Sequence, residues 1–255
     1  MKNKIMKFII PNESKFTEYE PGVYIYNDID INMSVSRYMN IAELLGMMKG
    51  NISVPMRMAF PDKLEHGLSN NPFDICISAV GYKVTKKQKQ KWDKIKQQRI
   101  AIRNWFTLCF SQELNERASF WNAFTKGVNG VFVKTKLIDF ISAIDTTGFN
   151  VYIGKIKYSN STSTHDFLDF AFTKETPYRD EKEIRIYLLP KSGELDGNFE
   201  DIRSRYEMKF NFKPQIFSKI TLSPYIPGEV KKIFIKELFE ENKFNRTQLI
   251  PSKIH

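Results

Sequence analysis

The sequence predicts an α+β domain built on a bent, mostly antiparallel β-sheet with flanking helices. Three observations point there. Short strand-like runs are interleaved with amphipathic helical segments in no regular alternation. No glycine-rich turn of dinucleotide or Walker type follows any of those runs, which argues against a Rossmann or P-loop architecture. The chain has 255 residues with 21 Phe and 11 Tyr against only 12 Gly and 11 Pro, a composition suited to one sizeable globular core. Without repeats or a low-complexity linker, a single domain over residues 1–255 is expected.

The apolar N-terminal patch Ile5-Met6-Lys7-Phe8-Ile9-Ile10 is split by Lys7 and is too short for a membrane span or a secretory core. Val23-Tyr24-Ile25-Tyr26 reads as a strand, and Ala42 to Met48 as a helix closed by Gly50. Ile52 to Met56 is a strand with a proline edge, and Ser69-Asn70-Asn71-Pro72 is a turn. Lys83 to Arg103 is a basic helix with Trp92, Ile95 and Ile102 as a thin apolar stripe, its lysines spread all round. Trp105 to Ser111 is a strand, Ala118 to Phe124 a helix, and Gly130 to Lys134 a strand. Leu137 to Ile144 is an amphipathic helix, Phe149 to Tyr158 one long strand, and His165 to Phe172 a short helix. Ile184 to Leu189 and Ile220-Thr221-Leu222 are strands. Val230, Ile233, Phe234, Leu238 and Phe239 pattern a helix introduced by Pro227-Gly228-Glu229, and Gln248-Leu249-Ile250 closes the chain as a strand.

A formal net charge of +10 favours an anionic partner such as nucleic acid or a nucleotide, although a lysine-rich surface that only aids solubility gives the same count. Cys76 and Cys109 have no Cys-x-x-Cys spacing, and His66, His165 and His255 are scattered. Neither a disulfide framework nor a metal site is expected. The reading is a cytoplasmic protein with no membrane partner.

Chemistry concentrates in Tyr178 to Leu189, where carboxylates and cations crowd the mouth of an apolar strand. In an extended chain Glu181, Glu183 and Arg185 share one face while Ile184 and Ile186 take the other. Two glutamates on one face need a cation or a polar substrate, and Arg185 is the local candidate. The ordinary alternative is a solvated strand end with a surface ion pair of little worth.

Four pieces, in order, resemble a bacterial family still labelled a domain of unknown function. They are Arg37-Tyr38 with Leu44-Leu45, Pro61 and the Asn71-Pro72-Phe73-Asp74 loop; Cys109-Phe110-Ser111 with Trp121 and Phe124; Gly127-Val128-Asn129-Gly130-Val131; and Phe172-x-Lys174 with Tyr178, Glu181-x-Glu183 and Arg185. They span about residues 37–189 and leave 190–255 as a C-terminal extension. The layout of a first-strand Arg, a helix, a later Ser-ended strand and a late Glu-x-Glu is also similar to ADP-ribosyltransferases. That resemblance implies a split, bent antiparallel sheet with NAD, used as a substrate, held in its cleft. Glu183 would be the catalytic glutamate, Glu181 the preceding acid, and Arg37 the residue holding the pyrophosphate or ribose end. Ser111 would take the polar position ending the middle strand, Tyr38 or Tyr178 would stack on nicotinamide, and Arg185 would complete the cofactor-binding set. The acceptor would be nucleic acid or protein. A toxin or antiphage effector with a neutralising or regulatory partner is the biological role the likeness implies.

Two other readings compete. A metal-dependent nuclease would use Asp180-x-Lys182 with Asp169 as an upstream acid. A non-catalytic nucleic-acid-binding module would use basic residues interleaved with Trp92, Trp105 and Trp121.

Overall fold

The structure, a computed structural model, describes residues 4–7, 16–26, 29–55, 85–86, 90, 105–125, 129–159, 171–192, 194–197, 205–237, 244 and 248–254. In chain order they form strands β1 (Lys4–Lys7), β2 (Thr17–Glu20), β3 (Val23–Tyr26) and β4 (Ser34–Asn40), then helix α1 (Ile41–Met48). Strands β5 (Asn51–Pro55) and β6 (Phe106–Ser111), helix α2 (Ala118–Thr125), strand β7 (Gly130–Lys136) and helix α3 (Leu137–Ala143) follow. The rest comprises strands β8 (Phe149–Lys155), β9 (Lys157–Tyr158), β10 (Thr173–Lys174), β11 (Glu183–Pro190), β12 (Glu194–Gly197), β13 (Arg205–Lys209) and β14 (Phe217–Leu222), with helix α4 (Gly228–Lys236). Most pairings are antiparallel, while β3 with β8 and β9 with β10 run parallel. The chain is therefore of the α+β class expected, with mostly antiparallel sheet.

Backbone packing groups the chain into two compact units: Met1–Asp28, Pro55–Leu108 and Gly148–Arg205 form the first, and Ile29–Val54, Cys109–Thr147 and Tyr206–His255 the second.

In the first unit the strand order is β11-β8-β3-β2, and β1 pairs with β12 in a separate two-stranded ladder. Every residue of β11 is buried, so both faces of this strand are covered. One face carries Ile184, Ile186 and Leu188. The other carries Glu183, Arg185 and Tyr187, which lie opposite or beside Gly154 and Tyr152 of β8. Phe16, Tyr24, Tyr26, Tyr152 and Phe172 form a continuous aromatic layer there. Such rings bring large buried area and favour tilted or offset contacts. The long strand expected over Phe149 to Tyr158 is interrupted at Ile156, whose N–H donates to the Glu183 carbonyl at 3.0 Å. The chain then leaves β8 and pairs with β10 as β9.

The second unit has the order β14-β7-β4, with residues 109–111 of β6 next to β4. Helix α2 covers one sheet face through Trp121 against Tyr38. The other face meets α1 and α3, with Leu44, Met47, Leu137 and Phe140 buried. Asn40 caps α1 by accepting from the Glu43 N–H at 2.7 Å, and Gly50 follows the helix at φ 90° as expected for its closing glycine. In α4 the expected stripe is only partly covered: Phe234 is buried, but Val230 and Ile233 are 43% and 68% exposed. The final strand reduces to one parallel bridge, Leu249 to Ile220. The turn at 69–72, the 71–74 loop, the helix over 83–103 apart from isolated positions, residues 127–128 and the 165–170 part of the short helix lie outside the described residues.

Candidate functional site

The centre of interest is assembled in the first unit from a packing requirement. Phe172 lies flat over Gly154 of β8, where a side-chain methyl would overlap its ring. The ring stacks on Tyr26 at 5.0 Å and meets the edge of Tyr187 at 5.3 Å. Only glycine permits that close approach. With the ring seated, Lys157 N–H donates to the Phe172 carbonyl at 2.8 Å and Ser159 N–H to the Lys174 carbonyl at 3.0 Å. The segment from Ala171 to Lys174 is thereby fixed against the charged face of β11.

Arg185 and Glu183, two apart on β11, share that face. The guanidinium grips the carboxylate twice, from Nε to Oε1 at 2.6 Å and from Nη2 to Oε2 at 3.0 Å. Nη1 donates to the Ala171 carbonyl at 2.9 Å, and the Tyr187 hydroxyl donates to the same oxygen at 2.8 Å. Lys174 Nζ reaches Glu181 Oε2 at 2.8 Å and Glu183 Oε2 at 3.3 Å. It also stands 4.8 Å from the centre of the Tyr178 ring. The Glu183 N–H donates to the Tyr158 hydroxyl at 2.8 Å. Two anions and two cations are thus joined with their hydrogen-bonding capacity largely used, the condition under which buried charge is tolerated.

Glu183 is 4% exposed and Arg185 2%, so the solvated strand end with a surface ion pair is not what forms. Glu181 also departs from expectation. It ends a 3-10 turn, Thr176–Glu181, and the left-handed Lys182 at φ 45° turns the chain before β11 begins at Glu183. It joins the group through Lys174 and not by sharing a strand face. Its side chain stays 20% exposed, the most open carboxylate of the centre. Burial pushes the Glu181 carboxyl above its ordinary value, more than Lys174 pulls it back. Burial also opposes charge on Lys174, but Glu183 and Glu181 outweigh it and hold the ammonium above its usual range. The Tyr158 hydroxyl is pushed up to about 12, chiefly by burial.

The sequence pattern assigns no role to Lys174 or Tyr158. Lys174 had a signal, because two carboxylates facing one arginine leave an anion in need of a cation. Tyr158 had none.

The remaining expected residues lie in the second unit. Arg37 Nη2 bonds Glu43 at 2.8 Å, Nη1 donates to the Cys109 carbonyl at 2.6 Å, and the guanidinium stands 5.6 Å from the Phe110 ring centre. Burial opposes its charge, yet Glu43 holds it above its ordinary value. The Tyr38 hydroxyl accepts from the Arg117 N–H at 2.7 Å and is pushed up to about 12, burial first. Ser111 Oγ accepts from the Glu113 N–H at 3.0 Å. Ser111 pairs with Ser36, so both point to the α2 side, whereas Arg37 points to the opposite sheet face. An open groove of about 490 Å³ in this unit, lined by Gly50, Ala143, Asp145, Lys209 and Asn211 among others, contains none of the expected residues.

Asp180 and Lys182, expected for a nuclease, are both exposed, and Asp169 lies outside the described residues. Among the described residues no group of three or more His, Cys, Asp or Glu is placed to hold a metal ion, and no helix is long and apolar enough to cross a membrane. Trp105 and Trp121 are buried in the two cores, and Trp92 lies outside the described residues. No protein-family model, curated protein or solved structure matches the chain.

Proposed function

We propose that this chain is an NAD-using, ADP-ribosyltransferase-like enzyme whose carboxylate centre is the Glu181–Lys174–Glu183–Arg185 group. The observation that carries the reading is a fixed buried anion, Glu183, coupled through one lysine to a more open carboxylate, Glu181, whose proton affinity is raised. NAD itself enters from the sequence resemblance. As to fit, both oxygens of Glu183 are occupied, so ribose contact falls to Glu181, and the half-buried Tyr178 beside it offers a ring for nicotinamide.

In the reaction the bond from nicotinamide nitrogen to the ribose anomeric carbon breaks, and nicotinamide leaves with the electron pair. Positive charge builds on the sugar, as in glycoside hydrolysis. A carboxylate held without reorganisation stabilises that charge. The acceptor's nucleophile then bonds to the anomeric carbon and gives its proton to Glu181, for which a raised proton affinity is an advantage. Glu183 and Arg185 act as positioning residues that hold Lys174, and through it Glu181. Arg37, engaged with Glu43 and the Cys109 carbonyl, takes no part in this reading.

The test is release of nicotinamide from NAD, followed by chromatography, in the presence of RNA, DNA or cell protein as acceptor. Glu181→Gln is expected to lower the rate by roughly 100-fold or more, in the range for loss of a general base. It is a cleaner probe than Glu183→Gln, which leaves buried cations uncompensated. Undiminished turnover in Glu181→Gln, or no nicotinamide release with any acceptor class, overturns the reading.

A further inference from the structure

Among its described residues the second unit carries three lysines that its own fold leaves without an ion pair. Lys134 of β7 and Lys219 of β14 are direct cross-strand partners, and the irregularity between Phe217 and Lys219 sets that register. Like charges directly opposite each other destabilise a sheet. Lys253 is brought to the same place by a tether: its N–H donates to Glu116 Oε1 at 2.8 Å, and the Ser252 hydroxyl donates to Oε2 at 2.8 Å. Burial, then Lys219, then Lys253 push the Lys134 ammonium below its ordinary value. Glu113 and Glu116 pull it part of the way back, while their oxygens accept from donors of Asn115, Arg117, Trp121, Ser252 and Lys253. Among the described residues none of the three lysines forms an ion pair.

Lys134 also shares its sheet face with Phe132 and, through the pairing of β4 with β7, with Tyr38. Around Tyr38 stand Phe120 and Phe124 of α2, with ring centres 5.9 and 6.1 Å away. Phe124 is 50% exposed, and the Arg117 guanidinium lies 5.5 Å from the centre of the Phe120 ring. Cations on one sheet face with an exposed aromatic ring are what a phosphate-linked chain of unpaired bases requires, since phosphates meet the cations and a base stacks on the ring.

We propose that this face of the second unit binds single-stranded nucleic acid, with backbone phosphates at Lys134, Lys219 and Lys253 and a base stacked on Phe124. Duplex fits less well, because its bases are stacked on one another. The surface is independent of the Glu181 centre, and its test contains no NAD, so failure here leaves the catalytic reading untouched.

The experiment is fluorescence anisotropy of labelled oligothymidylate and oligouridylate with the full chain across a salt series. Replacing Lys134, Lys219 and Lys253 together by alanine is expected to lower the log–log salt slope by about 2, at roughly 0.7 per single-strand phosphate contact. Phe124→Ala is expected to weaken binding by roughly 5- to 150-fold with the slope unchanged. Circular dichroism checks that the variants fold, and Lys219→Gln alone, expected to lower the slope by about 0.7, serves if the triple replacement does not. No binding at low salt, an unchanged slope, or equal affinity for duplex of the same sequence overturns the proposal. So does equal competition by polyglutamate, which would assign the row to an acidic protein partner.

Discussion

Thr221 carries a cost that its neighbours do not relieve. Its hydroxyl is buried and has no hydrogen-bond partner. An unsatisfied buried polar group costs about 1–3 kcal/mol, and a methyl of the same shape avoids that cost. Thr221→Val is therefore expected to raise stability by about 1 kcal/mol, read as a higher urea midpoint with unchanged slope; a lower midpoint would contradict the assignment. Residue chemistry of this kind is poorly legible in sequence. The shared face of Glu183 and Arg185 is readable and pairs Arg185 with Glu183, as found, whereas Glu181, read onto the same face, lies outside the strand. Their burial was not, because it depends on Phe172 and Lys174 arriving from another segment. The juxtaposition of Lys134 and Lys219 was equally hidden, since cross-strand register between distant strands leaves no local mark.

At the scale of elements, the four described helices and about half of the strands are legible from local pattern, while β2, β4, β10, β12 and β13 are not. The helix before Gly50 and the strand at Val23–Tyr26 form where the pattern placed them. The alternation of Glu181 with Glu183 fits an extended chain. Instead a 3-10 turn starts at Thr176 with Pro177 in its first turn, and Lys182 ends it in a left-handed conformation that no residue type announces. The break at Ile156 likewise follows from a bond to Glu183 and not from its own preference. Gly154 is the point at which one strand controls the site. Gly154→Ala is expected to displace Phe172 and lower stability by about 1–3 kcal/mol, in the range for overpacking. Thermal unfolding checks this, and a variant as stable as the parent would mean that the ring moves aside freely.

For the whole molecule, alkaline pH is the informative variable. Tyr38 and Tyr158 are raised from 10.0 to about 12, in both cases by burial first, and Lys174 is also held above its ordinary value. A raised folded-state pKa means that the folded chain keeps its proton more tightly than the unfolded one. The associated stability is fully present below pH 10 and is lost as pH rises to about 12. Urea midpoints are expected to fall steeply across that window, and less steeply in Tyr158→Phe. A flat profile would show that these hydroxyls titrate as they do in the unfolded chain.

The ionic group around Glu183 also has a long-range consequence. Two negative and two positive side chains sum to no monopole, so the group projects only a short-ranged, multipolar field. Interactions of that kind fade within a few ångströms and respond weakly to ionic strength. A visitor to Glu181 is consequently selected by shape and donor placement after arrival, and its rate of arrival owes nothing to attraction from this quartet.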